Sequence, residues 1–184
     1  MDITKVINLL WSFNGDKNLI NRFISFIQTN QHNFWDKNNE MGHITVSGWI
    51  ISEDCSKALL IHHLQLKKWF QIGGHIEIND KSLIDAIRRE AKEEVGVKNL
   101  KFDTKKLFHI AIYNIPEIDF FPSHFHYDFI FIAKINSEKP LRFNKYEIDG
   151  IQWIKINEIE KLTYDIVLKD LIQKTLRNEN SFYR

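Results

Sequence analysis

At 184 residues and 43% hydrophobic content, the chain has the size of one globular domain with a modest extension. Its 25 Lys and Arg stand against 24 Asp and Glu, a formal net charge of +1, which argues against the basic footprint of a nucleic-acid or anionic-membrane binder. Cys55 is the one cysteine, so no intramolecular disulfide can form. Asp2 and the lack of a long uncharged apolar stretch speak against a signal peptide or spanning helix, so the expectation is a cytosolic chain.

The first ~40 residues read as helical, with Ile3, Val6, Ile7 and Leu10, then Leu19, Phe23, Phe26 and Ile27, at helical spacing. Asn14-Gly15-Asp16 between them is a turn, and the polar run from Gln28 to Glu40 is a connection. From Gly42 the pattern turns to strands. His43 to Ser52 and Lys57 to Leu64 are apolar runs joined by the polar loop Ser52 to Ser56, and Trp69 to Ile72 is a short strand ending at Gly73-Gly74. A helix follows over Ser82 to Val95.

Further strands are expected at Leu107 to Ile115, Phe125 to Ile135 and Ile151 to Lys155, with Pro116 to Ser123 as a loop. A C-terminal helix draws its apolar side from Ile166, Leu168, Leu171, Ile172 and Leu176. Strands with helices interspersed indicate an α/β or α+β sandwich. The expected boundaries are 1–40 for an N-terminal helical extension and 41–178 for the main domain.

The Ser82 to Val95 helix carries the chemistry. Ser82 with Asp85 makes a capping box, and Gly96 is a stop signal. Ile84, Ile87, Ala91 and Val95 form one buried stripe, and Glu90, Glu93 and Glu94 share a second stripe beside it. Three carboxylates within about one turn repel one another. A solvated acidic face is the bland explanation, but their position flanking the buried stripe points them into a groove next to the sheet. A divalent cation would relieve the repulsion, and hard oxygen donors suit Mg2+ or Mn2+. Arg89, four residues before Glu93, can hold the cluster in geometry. Gly73-Gly74 lets the backbone approach a ligand, with a carbonyl free to join a metal shell.

The run Arg89-Glu90-Ala91-Lys92-Glu93-Glu94-Val95-Gly96-Val97 resembles, at every constrained position, the second half of the Nudix box, R-E-U-x-E-E-x-G-U with U apolar. Gly73-Gly74 resembles the glycine pair at its start, and the similarity covers roughly residues 42 to 160. The first half departs from G-x5-E-x7-R: Asp80 stands where the acid is expected, with eight residues between it and Arg89, one more than the pattern. Ile72 sits where many members carry Pro.

The resemblance implies a Nudix-like α/β/α sandwich and a metal-dependent hydrolase of pyrophosphate bonds in a nucleoside diphosphate linked to another moiety. Glu90, Glu93 and Glu94, with the carbonyl of Gly73 or Gly74, would hold Mg2+ or Mn2+, and polarised water would attack phosphorus. The general base would be one of these glutamates or a later loop residue, Glu147 first and Glu117 second; a solvated loop residue is the alternative for both.

His124 and His126 share a strand face with Asp128 in the same register, so His126 and Asp128 are candidates to line the substrate pocket. A zinc site needs a further ligand of convincing spacing, and none is evident. Trp69, Phe70 and Phe125 suit stacking on a base, with core packing as the alternative. Lys67 and Lys68 could steer an anion. Cys55, in a polar loop, has no expected role. Against the hydrolase stand a Nudix-fold nucleotide-binding domain without turnover, which the complete Glu cluster disfavours, and an isopentenyl-diphosphate-isomerase-like enzyme, which the position of Cys55 disfavours. The partner expected is a small nucleotide-type substrate, with the N-terminal helices as a surface for a homodimer.

Overall fold

Two helices precede runs of strands broken by a single helix in the computed structural model, which describes residues 1–98, 100–117, 122–142, 146 and 148–182, with side chains to 177. The elements are α1 (Ile3–Trp11), α2 (Lys17–Thr29), β1 (Gly42–Ser52), β2 (Lys57–His63), β3 (Trp69–Phe70), β4 (Ile72–His75), α3 (Leu83–Val95), β5 (His109–Ile115), β6 (His124–Ile135), β7 (Ile148–Lys155), a 3-10 turn (Ile156–Lys161) and α4 (Ile166–Phe182). The class is α+β, as the succession of helical and strand periods in the sequence indicates. Among the described residues no helix is long and apolar enough to cross a membrane.

Two compact units divide the chain: Met1–Ser47, Gly73–Ile87 and Phe102–Phe131 make one, and Gly48–Ile72, Arg88–Lys101 and Ile132–Arg184 make the other. Strand β1 and helix α3 therefore run from one unit into the other. All eleven residues of β1 are buried, the profile of a central strand.

In the first unit β6 lies beside β1 and pairs antiparallel with β5, with His126 opposite Tyr113 and Asp128 opposite Ala111, while β4 joins β1. Helices α1 and α2 start on Asp2 and Asp16, whose carboxylates accept from backbone N–H groups of the first turn. Helix α2 buries Phe23 and Phe26 against β6: Phe26 stacks on Tyr127 at 4.0 Å, and Phe23 meets Tyr127 and Phe129 edge-on at 5.4 and 5.2 Å.

In the second unit β1 pairs with β2 at Ile51 and Ala58, and β2 carries both β3 and β7. The loop from Ser52 to Ser56 closes on Asp54, whose carboxylate accepts from Ser52 Oγ and from the Ser56 amide and hydroxyl. Cys55 takes a positive φ of 59° there and is buried.

Three expectations need correction. The strand at Trp69 does not end at the glycines: it breaks at Gln71 and resumes through Gly73 and Gly74 to His75. Gly73 has φ +151°, and a Cβ there would meet Val46 O at 2.4 Å, so glycine lets β4 lie against β1 where another residue would clash. Strand β7 begins at Ile148, three residues earlier than its apolar run suggests, since β2 supplies partners to that point. In α4, Ile166 and Leu176 are exposed, and Thr175 is fully buried instead. Its hydroxyl accepts from Trp49 Nε1 at 2.8 Å and donates to Leu171 O at 2.8 Å, so a hydroxyl takes the place that periodicity gave to Leu176.

Candidate functional site

Helix α3 is fixed at both ends by its own sequence. Ser82 Oγ accepts from the Asp85 amide at 3.1 Å, the first bond of a capping box, and its hydroxyl donates to the Asp85 carboxylate at 2.9 Å. At the other end Gly96, with φ +70°, donates to Lys92 O, and Val97 donates to Ala91 O. A Cβ on Gly96 would also meet Arg142 O at 2.8 Å. Between these stops Ile84, Ile87, Ala91 and Val95 are buried, as the periodicity requires.

The three glutamates do not share one environment. Glu90 and Glu94 are buried, at 8% and 5% exposure, while Glu93 is exposed. At roughly 100° per residue, Glu94 lies about 40° from Glu90 toward Ala91, and Glu93 about 60° away on the other side. Arg89 Nη1 spans the gap, 2.9 Å from Glu90 Oε1 and 3.1 Å from Glu93 Oε2. One guanidinium thus restrains two carboxylates, from a side chain that is itself largely covered. Two buried carboxylates one turn apart form an all-oxygen donor set of high charge, which fits a hard divalent cation.

The loop ahead of α3 is closed by Asp80. Its Oδ2 accepts from the Glu77 amide at 2.8 Å, and its own amide donates to Glu77 O at 3.0 Å. Asp80 therefore folds the loop back on Glu77.

A second polar constellation lies wholly within the first unit. Along β1 polar residues alternate with apolar ones, His43, Thr45 and Ser47, and along β6 so do His124, His126 and Asp128. These rows lie side by side on one face of the sheet. Asp128 is fully buried, with Oδ1 accepting from Thr45 Oγ1 at 3.0 Å and Oδ2 from Ser47 Oγ at 2.7 Å. Burial pushes its carboxyl up to about 6, against the pull of the two hydroxyls. Asp128 therefore supports the interior of its unit.

The His43 ring lies 4.7 Å from that of His126, 4.9 Å from His75 and 5.0 Å from His124, between ring centroids. His126 also packs against Tyr113 at 5.6 Å. Burial first, then the neighbouring rings, holds His43 at about 3 and His126 at about 2, well below the ordinary histidine value. Both imidazoles are neutral near pH 7. The sequence offered no further ligand to go with His124 and His126; the fold supplies His43 and His75, one opening the alternating stretch of β1 and the other directly after Gly73-Gly74.

Trp69 packs on His62 at 5.1 Å and lies over Gly150, where a Cβ would be 3.5 Å from its ring. Asp149 accepts from His62 Nδ1 and from Lys67 Nζ, the latter at 3.0 Å, so Lys67 is tied to β7. Glu117 is an exposed loop residue after β5. Glu147 lies outside the described residues.

A family model described as NUDIX domain matches residues 41–174. The chain belongs to the Nudix family and is thereby an enzyme of the pyrophosphohydrolase class. No curated protein matches the chain in sequence. Among solved structures it resembles a C. elegans Ap4A hydrolase, at 15% identity and TM-score 0.58, covering 75% of this chain and 98% of that one. An E. coli dihydroneopterin triphosphate pyrophosphohydrolase aligns at 17% identity and TM-score 0.59, over 73% and 95% of the two chains. A NUDIX family hydrolase from Clostridium perfringens is 25% identical, with TM-score 0.56 and coverage of 72% and 95%.

Proposed function

We propose that this enzyme hydrolyses the pyrophosphate link of a small nucleotide-type substrate, a nucleoside diphosphate joined to another moiety, with Mg2+ or Mn2+ held by Glu90, Glu93 and Glu94. The observation that carries this reading is the pair of buried carboxylates, Glu90 and Glu94, one turn apart and flanked by Arg89. A bound divalent cation supplies neutralisation of charge on the phosphate oxygens and a lowered pKa for attacking water.

The chain's own groups do the rest. Helix α3, capped at both ends, presents the oxygen donors without reorganisation. Arg89 sets the orientation of Glu90 and Glu93. Glu93, exposed and held by that guanidinium, is assigned to accept the proton of the attacking water, with Glu147 as its rival. Two of the similar structures are named for Ap4A and for dihydroneopterin triphosphate, which supports a nucleotide-type substrate. Residues 41–178 are assigned as the catalytic domain and 1–40 as a helical extension to it.

The test is phosphate release from nucleoside triphosphates, ADP-ribose, dinucleoside polyphosphates, NADH, nucleotide sugars and CoA, with Mg2+ or Mn2+. Glu94→Gln and Glu93→Gln each lower turnover by roughly 100-fold or more, the equivalent of several kcal/mol of lost charge stabilisation, with the fold retained. Unchanged turnover in both variants overturns the assignment. Failure across the whole panel favours nucleotide binding without turnover.

A further inference from the structure

Three strands of the first unit bring one histidine each to a common point: His43 from β1, His75 from β4 and His126 from β6. One ring nitrogen of each lies within 4.8 Å of the others. Zinc–nitrogen bonds of roughly 2.0–2.1 Å at tetrahedral angles put ligand nitrogens about 3.3 Å apart, so small ring rotations close the set on an ion. His126 Nε2 also lies 3.2 Å from His124 Nε2, within hydrogen-bond distance.

The unusual member is His43. It is 1% exposed, yet neither ring nitrogen has a hydrogen-bond partner. A buried imidazole with both nitrogens unpaired has given up its bonds to water without replacement, which native interiors rarely tolerate. Bonding to a metal would satisfy one of them. An approach exists as well, since His75 is exposed and His126 half-buried while His43 is buried.

We propose that His43, His75 and His126 form a binding site for a divalent transition metal of the zinc class, with His75 at its mouth and a further coordination position open toward solvent. The donors are all imidazole, a set that suits Zn, Cu, Fe or Ni and is poor for Mg2+, which demands oxygen. This site is independent of the assignment of Mg2+ or Mn2+ to Glu90, Glu93 and Glu94, and its readout is metal binding rather than turnover.

Titration of the full chain with Co2+ in the presence of excess Mg2+, followed by the visible d–d bands and by calorimetry with Zn2+, tests it. The expected result is one equivalent of Co2+ in a low-symmetry nitrogen environment, displaced by Zn2+, unaffected by Mg2+ and retained in Glu94→Gln. His75→Ala, at an exposed position, weakens Co2+ binding by about tenfold or more, and His126→Asn does the same while circular dichroism reports on folding. Absence of both the Co2+ bands and Zn2+ heat overturns the site. So does binding that Mg2+ displaces, or that survives unchanged in His75→Ala.

Discussion

The glutamates of α3 and the histidines of β1, β4 and β6 offer opposite solutions to holding donor atoms close together. On α3 the donors are charged oxygens crowded into little more than one helical turn, and a cation from the same helix, Arg89, lies against two of them. Among the strands the donors are neutral nitrogens, with burial itself holding His43 and His126 uncharged. Charged donors can be gathered only with a counter-charge at hand. Neutral donors can be gathered by packing alone, at the cost of hydrogen bonds left unmade, as at His43.

Arg89→Lys gives the largest separation of the two regions. It keeps the positive charge but loses the planar fork that reaches both Glu90 and Glu93. Hydrolysis should fall roughly 10- to 100-fold, as for other residues that orient metal ligands, with Co2+ binding at the histidines unchanged. Equal loss in both assays would show that the regions are not separable.

Gly73→Ala acts on the histidine side, because β4 carries His75. A Cβ there meets backbone, Val46 O at 2.4 Å, at a φ of +151°, and about 1–3 kcal/mol of stability should be lost in urea denaturation. Gly150→Ala is its control. The added carbon would lie 3.5 Å from His62 and Trp69, an ordinary contact, and the change should stay within about 0.5 kcal/mol.

Asp54→Asn should have the smallest effect and touches neither cluster. Hydrogen bonds from Ser52 and Ser56 hold the Asp54 carboxyl at about 2, below its ordinary 3.8. A carboxyl depressed in the folded state adds stability that is present above 3.8 and lost as pH falls through about 2. The slight difference in urea midpoint between Asp54→Asn and the native chain should therefore be seen at pH 7 and vanish near pH 2.

What could be read from the sequence follows the same division. The glutamate cluster lies within one stretch of helix, where a fixed angle per residue relates every side chain to the next, so the stripe, the capping box and the stop at Gly96 were all legible. Only the split between buried Glu90 and Glu94 and exposed Glu93 depended on what packs against the helix. The histidines lie on three strands far apart in sequence. Alternation shows that His124 and His126 share a face, but not that β1 and β4 bring His43 and His75 to them, because strand neighbours are set by topology. Thr175 escaped for a similar reason: its burial depends on the Trp49 indole, more than a hundred residues away.

Helix α2 bears on how far the chain can be shortened. The family match begins at residue 41, and trimming to that point looks natural. The cut would strip Phe23 and Phe26 from β6, leaving the faces of Tyr127 and the fully buried Phe129 uncovered beside the strand residues that bear His126 and Asp128. A chain shortened in this way would keep every residue of the glutamate motif and expose an adhesive aromatic patch, so its first symptom would be self-association rather than inactivity.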